Sequence, residues 1–365
     1  MINDMTPVQR DRLREQQTKY KRPSFWIQVA LVIVLILVPL VPSFRVMDMV
    51  AKIMIFTVVV ASYDLILGYT GLLSFAHAMF FGIGAYSVAL LCYHSSSPQW
   101  YHLILAVVAA LTLSVVLALV LAFFSLRTKA IFFAMLSLAL ADFFHILGMT
   151  WSDLTLGEDG ITFSLPGILN VEWSGVNLLG VHLTPRDMTY YLILVAAVFL
   201  FMGLLRFVRS PVGRVLKSIR DNEQRSTALG YKTFRYQIYS IVFGSSIASL
   251  GGILFAVWLR FVDPESVLGV FSMIDYLLMV IIGGLGTLYG SIIGATFFMA
   301  TQAWLPDLLK GIAALFPDYE IIHRIAERWM AFLGLMFIVA IMVFPKGVVG
   351  TVREIIDRRK ASGAG

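Results

Sequence analysis

Charge is scarce in this chain and cysteine nearly absent. Only 14% of its 365 residues are charged, and Cys92 is its single cysteine. One cysteine excludes an intrachain disulfide and any cysteine-based metal cluster. No Gly-Lys dipeptide occurs, so no phosphate loop ending in Gly-Lys-Ser/Thr can be built. The six histidines are scattered, with no HExxH and no pair at ligand spacing. Gly284, Gly286 and Gly290 have the wrong spacing for a dinucleotide loop, and no strand precedes them. No apolar run carries the regularly spaced arginines of a voltage sensor. Enzyme chemistry therefore finds little support, with no metal and no cofactor expected. Any uphill transport would draw its energy from an ion gradient or from another chain.

What the chain has instead is apolar length. Hydrophobic residues make up 59% of it, whereas a soluble domain is nearer half apolar and a quarter charged. The pattern predicts an all-α polytopic membrane protein of about ten spans, near 25–44, 49–68, 71–93, 102–126, 130–149, 188–206, 237–259, 272–285, 288–306 and 329–345. The third and eighth are each open to a re-entrant reading. The net charge of +6 is a topological signal and does not point to nucleic acid, because the basic residues cluster in segments between spans. Residues 1–24 carry Arg10, Arg12, Arg14, Lys19, Lys21 and Arg22. Residues 206–236 and the tail 346–365 are basic too. All three are expected in the cytoplasm, with the transmembrane domain covering 25–345. The net-acidic segments 150–187, 260–271 and 307–328 are expected outside. Ten crossings with both ends inside satisfy every one of these placements. The first apolar run leads into Pro39, Pro42 and Arg45 with no small-residue cleavage site, which predicts an uncleaved first span.

The stretch from Arg206 to Arg235 is the strongly basic interruption, with eight Lys or Arg residues against Asp221 and Glu223. Pro211 suits a helix start, and nothing then breaks a helix until Gly230. Val212, Val215, Leu216 and Ile219 share one face, with Arg214, Lys217 and Arg220 around the rest. Such a helix could lie in a groove on a soluble partner, or the loop could only fix topology. Small residues recur every four positions at Gly286, Gly290 and Gly294, and again at Gly244, Ala248 and Gly252. That spacing brings helix backbones close in lipid. A break at Gly283, Gly284 and Gly286 could also open backbone to a water-filled path. Asp142 and His145 are three apart, on one helix face. Asp64, Ser74 and His77 are further polar residues within or near spans. Each can serve a path or simply tie helices together.

Four blocks carry a resemblance. GYTGLLSFAHAMFFGIGAY (68–86), SPVGRVLKSIRDNEQRSTALGYKTFRYQ (210–237), FVDPES (261–266) and DYLLMVIIGGLGTLYGSIIGA (275–295) resemble, in order, the permease subunits of bacterial ABC importers for branched-chain amino acids. Urea and short-amide permeases are close relatives. The resemblance implies a cytoplasmic coupling helix at about Arg214 to Gly230, with Arg214, Lys217, Arg220, Glu223, Ala228, Leu229 and Gly230 presented to an ATPase. It implies a second permease chain, two ATP-binding cassette subunits, a periplasmic substrate-binding protein and an inner-membrane location. Asp64, Ser74, His77, Asp142, His145, Gly283, Gly284 and Gly286 are the expected path residues. Two departures stand out. The family's Thr-Gly-Gly is Thr155-Leu156-Gly157 here, and its Leu-Gly before the histidine is Phe75-Ala76. The rival readings are an ion-coupled transporter working through Asp142, Asp64 or His77, and a non-transporting membrane scaffold.

Overall fold

A computed structural model describes residues 32–40, 43–95, 97–125, 130–170, 176–178, 181–315, 324, 326–345, 347–351 and 354. The basic N-terminal segment, the first part of the first expected span, residues 126–129 and most of the C-terminal tail lie outside the described residues. The chain falls into two units, 1–50 and 51–365. In the first, the described residues are helical over 32–37, followed by a turn of 3-10 helix at Val38–Leu40 and the start of α1.

The second unit is a helical bundle. The helices used below are α1 (Phe44–Asp64), α2 (His77–Tyr93), α3 (Trp100–Ser125), α4 (Ala130–Thr150), α5 (Pro185–Arg209), α6 (Pro211–Asp221), the short α7 (Glu223–Ala228), α8 (Thr233–Leu259), α9 (Val270–Gly283), α10 (Leu288–Ala314) and α11 (Trp329–Val343). Seven helices among the described residues are long and apolar enough to cross a membrane, and α2 and α9 are shorter apolar helices. At 1.5 Å per residue α2 and α9 span about 25 Å and about 21 Å. The third expected span therefore starts late, at His77, because Gly71 adopts φ +79 and the chain stays irregular to Ala76.

Glycines set the core. A Cβ on Gly84 would strike the Ser249 carbonyl, and one on Gly252 would strike that of Phe81. The backbones of α2 and α8 thus touch directly, as small residues permit in lipid. Gly283, Gly290 and Gly294 do the same between α9 and α10, where a Cβ on Gly294 would meet the Met279 carbonyl. Gly286 differs from the expected three-glycine stripe: it lies before α10, in the break, at φ +74.

Two groups of segments meet at opposite ends of the helices. At one end β1 (Ile161–Thr162) pairs antiparallel with β4 (Phe261–Val262), and Arg260 donates to the Leu169 carbonyl at 2.9 Å. A hairpin of β2 (Val176–Leu178) and β3 (Val181–Leu183) also belongs to the 150–187 segment. At the other end α6 meets the close of α1 and the α9–α10 turn. Leu156 stands at φ 58, a left-handed conformation that costs a branched side chain free energy. This is where the resembling family has glycine, which adopts it freely.

Candidate functional site

The site grows from a flaw in α1. After Asp64 the helix widens into a π-turn, Leu65–Tyr69, a form often found at functional positions. Thr70 Oγ1 donates to the Leu65 carbonyl at 3.0 Å, and it lies 2.6 Å from Ser240 Oγ on α8. Ser240 also donates to the Leu65 carbonyl at 3.3 Å, so a neighbouring helix helps satisfy the carbonyl that the π-turn displaces.

Against this turn lies the basic loop. Ser210 caps α6, its Oγ accepting from Gly213 N at 3.4 Å, and Pro211 takes the first helical position. Val215, Leu216 and Ile219 are buried, as their shared face requires, with Val212 beside them half-buried. The single helix expected to run on toward Gly230 is in fact two. Asn222 is extended at φ −162, and its Oδ1 accepts from Arg225 N at 2.8 Å to start α7. An asparagine side chain that competes for backbone donors breaks a helix in this way. Glu223 then accepts from Gln237 on α8 at 3.2 Å.

Arg220 Nη1 donates to the Gly68 carbonyl, and Lys217 stands 4.9 Å over the Tyr69 ring. Asp64 Oδ1 accepts from Gly286 N at 2.7 Å, across 222 positions of sequence. A Cβ on Gly286 would lie 2.6 Å from Arg220 Nη1 and 3.0 Å from the Gly68 carbonyl. One junction therefore joins the basic helix pair, the π-turn of α1 and the α9–α10 break. At the break Gly283 and Gly284 are buried, Leu285 is exposed, and the Gly286 donor is taken by a carboxylate. Arg214, Glu223, Ala228, Leu229 and Gly230 are exposed, Leu229 to 67%.

The remaining expected path residues lie elsewhere. Ser74 is buried and accepts from Ala76 N at 3.3 Å. His77 is wholly buried. Ser62 Oγ donates to the Val59 carbonyl at 2.7 Å, so the 2.8 Å contact with His77 Nε2 takes its proton from the ring. Nδ1 then has no hydrogen-bond partner among the described residues. Ser62→Ala is expected to strand the Nε2–H and to cost about 1–3 kcal/mol. A lowered thermal midpoint in detergent would check it, and an unchanged midpoint would refute the tautomer. Asp142 and His145 do not join the junction. Asp142 is exposed on α4 in line with Ile131, Met135 and Ile146, while His145 lies 3.2 Å from Glu265 at the other end. Sequence reasoning missed Ser62, Gly68, Tyr69, Thr70 and Ser240. Gly68, Tyr69 and Thr70 carried a signal, as the three residues that open the first resembling block, and Ser62 and Ser240 carried none.

Apolar helices packed through glycine, with a basic helix pair fastened to breaks in two of them, define a multi-pass membrane protein. Residues 45–341 match the family described as branched-chain amino acid transport system / permease component, and the chain belongs to that family. It is 26% identical over 294 residues to the high-affinity branched-chain amino acid transport system permease protein LivM of Salmonella typhimurium, covering 76% of this chain and 68% of that one. It is 24% identical to LivM of Escherichia coli K12, covering 92% and 77%. The LivH permease of the same Salmonella strain is 20% identical, covering 81% and 91%. No solved structure matches.

Proposed function

We propose that this chain is one half of the translocation path of an ATP-driven importer for branched-chain amino acids in the inner membrane. A second, related permease forms the other half. Two ATPase subunits dock from the cytoplasm, and a periplasmic receptor delivers substrate to the 150–187 segment. Both termini and the 206–236 loop face the cytoplasm in this reading. The observation that carries it is the α6–α7 pair. Its far end is exposed and partly apolar at Ala228, Leu229 and Tyr231, while its near end is held by Arg220 and Lys217 against α1. An exposed tip on a fastened root is the shape of a lever. Closure of the ATPase dimer pushes the tip, and the root carries that displacement to Gly68 and the Gly284–Gly286 break. The two permease halves then rock between outward and inward access. Hydrolysis belongs to the partners, and tight substrate binding to the receptor.

The test is purification of the tagged chain from its native membrane in mild detergent, then uptake of leucine into reconstituted vesicles. Recovery of a second permease and phosphate-loop ATPases, with uptake that needs ATP, is the expected result. Recovery of the chain alone, with ATP-independent uptake abolished by an uncoupler, would replace this reading with an ion-coupled transporter.

A further inference from the structure

A single glycine stands between a carboxyl and a guanidinium at the junction. The Gly286 N–H donates to Asp64 Oδ1, and its Cα lies against the guanidinium of Arg220. Asp64 is 1% exposed, and its second oxygen, Oδ2, has no hydrogen-bond partner among the described residues. A buried carboxylate oxygen left so is costly. Arg220 meanwhile donates to a neutral acceptor, the Gly68 carbonyl. A guanidinium and a carboxylate are each other's strongest partners, especially when paired through two parallel bonds. Here they are neighbours, on either side of Gly286. Yet no direct ion pair between them forms in this arrangement. No side chain could take the glycine's place, given its φ of +74 and the crowding by Arg220 and the Gly68 carbonyl.

We propose that the Gly284–Gly286 loop is a removable spacer and that Arg220 exchanges between two acceptors as the transporter cycles. In the arrangement seen, Gly286 holds Asp64 and Arg220 holds Gly68. When the α9–α10 turn withdraws, Arg220 leaves the Gly68 carbonyl and pairs directly with Asp64. Each arrangement satisfies something the other gives up. The first satisfies the Gly286 N–H and the Gly68 carbonyl; the second satisfies Oδ2 and the full guanidinium. Two such packings of nearly equal merit make a bistable element, which a push on the helix pair can tip. Lys217 over Tyr69 keeps α6 seated while the arginine moves. The proposal rests on the reading of α6–α7 as the lever. Asp64 and Arg220 are positioning residues in it, touching neither substrate nor nucleotide.

The test uses the complex as purified, in lipid nanodiscs, carrying Asp64→Cys and Arg220→Cys on a Cys92→Ala background. Oxidative cross-linking is compared without nucleotide and in a vanadate-trapped state. The expected result is a yield at least about fivefold higher in one state than in the other. Equal yields in both states, or none in either, would overturn the exchange. Adding Gly286→Ala, whose side chain is strained at φ +74 and crowds the Gly68 carbonyl, should raise the yield in both states, and an unchanged yield counts against the spacer. If the cysteine variant fails to assemble, Asp64→Asn and Arg220→Gln are combined instead. Direct pairing predicts that the double variant transports no worse than the poorer single one. Losses that multiply would mean two independent contacts and no exchange. The importer reading is judged separately, on ATP-driven uptake by the wild-type complex.

Discussion

An Ala228→Glu variant is expected to reach the membrane at the wild-type level and to take up leucine at less than about one-hundredth of the wild-type rate. Ala228 is exposed on the short helix α7, and its neighbours Leu229 and Gly230 are exposed as well. Among the described residues none buries that tip, so the substitution leaves the fold described here alone. If an ATPase groove covers the tip, the new carboxylate is desolvated there without a partner. Such an uncompensated buried charge costs about 3–5 kcal/mol, and about 3 kcal/mol already exceeds a hundredfold. The measurements are uptake in vesicles, surface expression and the ATPase recovered with the tagged chain. Normal expression with ATPase lost and uptake abolished is the expected set. Undiminished uptake would mean that the basic loop only sets topology, as in the scaffold reading.

Gly252→Leu should prevent the bundle from forming at all. The position has no room for even a Cβ, which would collide with the Phe81 carbonyl and crowd Ala85 N. Those atoms are backbone, so no rotamer change relieves the clash, and α2 would have to part from α8. That contact includes Gly84 against Ser249 and the buried Ala248. Overpacking ordinarily costs about 1–3 kcal/mol. A backbone collision across the tightest helix pair exceeds that range, and lipid offers no hydrophobic return to drive the helices back together. Gly311→Leu on α10 is the internal control, since a Cβ there meets nothing within 4 Å. It should be neutral or slightly stabilising, because leucine favours a helix over glycine by up to about 1 kcal/mol. Size-exclusion profiles in detergent compare the two. A monodisperse Gly252→Leu protein would show that α2 and α8 are not held backbone to backbone.

How much of this was legible in the chain depends on the distance over which each feature is written. Spans, basic segments and the amphipathic face of α6 are local. A window of about twenty residues records whether a helix can satisfy its backbone within lipid. The four-residue glycine spacing was equally readable, and it proved to be helix packing between α9 and α10 and between α2 and α8. Asn222 followed by Glu223 was a readable start signal for α7, hidden by an otherwise unbroken helical pattern. The junction was not legible. Asp64 and Gly286 lie 222 positions apart, and Arg220 and Gly68 lie 152 apart. The sequence placed Asp64 and Gly286 among path residues and Arg220 on a coupling helix, without any reason to join them. Asp142 and Asp64 read alike as carboxylates within spans. One is exposed and the other is 1% exposed. By itself, then, the sequence determined that this is a multi-pass helical permease with a basic helical loop, because hydrophobic length and charge segregation are properties of short segments. Only the tertiary structure decided which polar residues meet, because that depends on how each helix is rotated. The rotation is set by backbone contacts at glycines distributed over several spans.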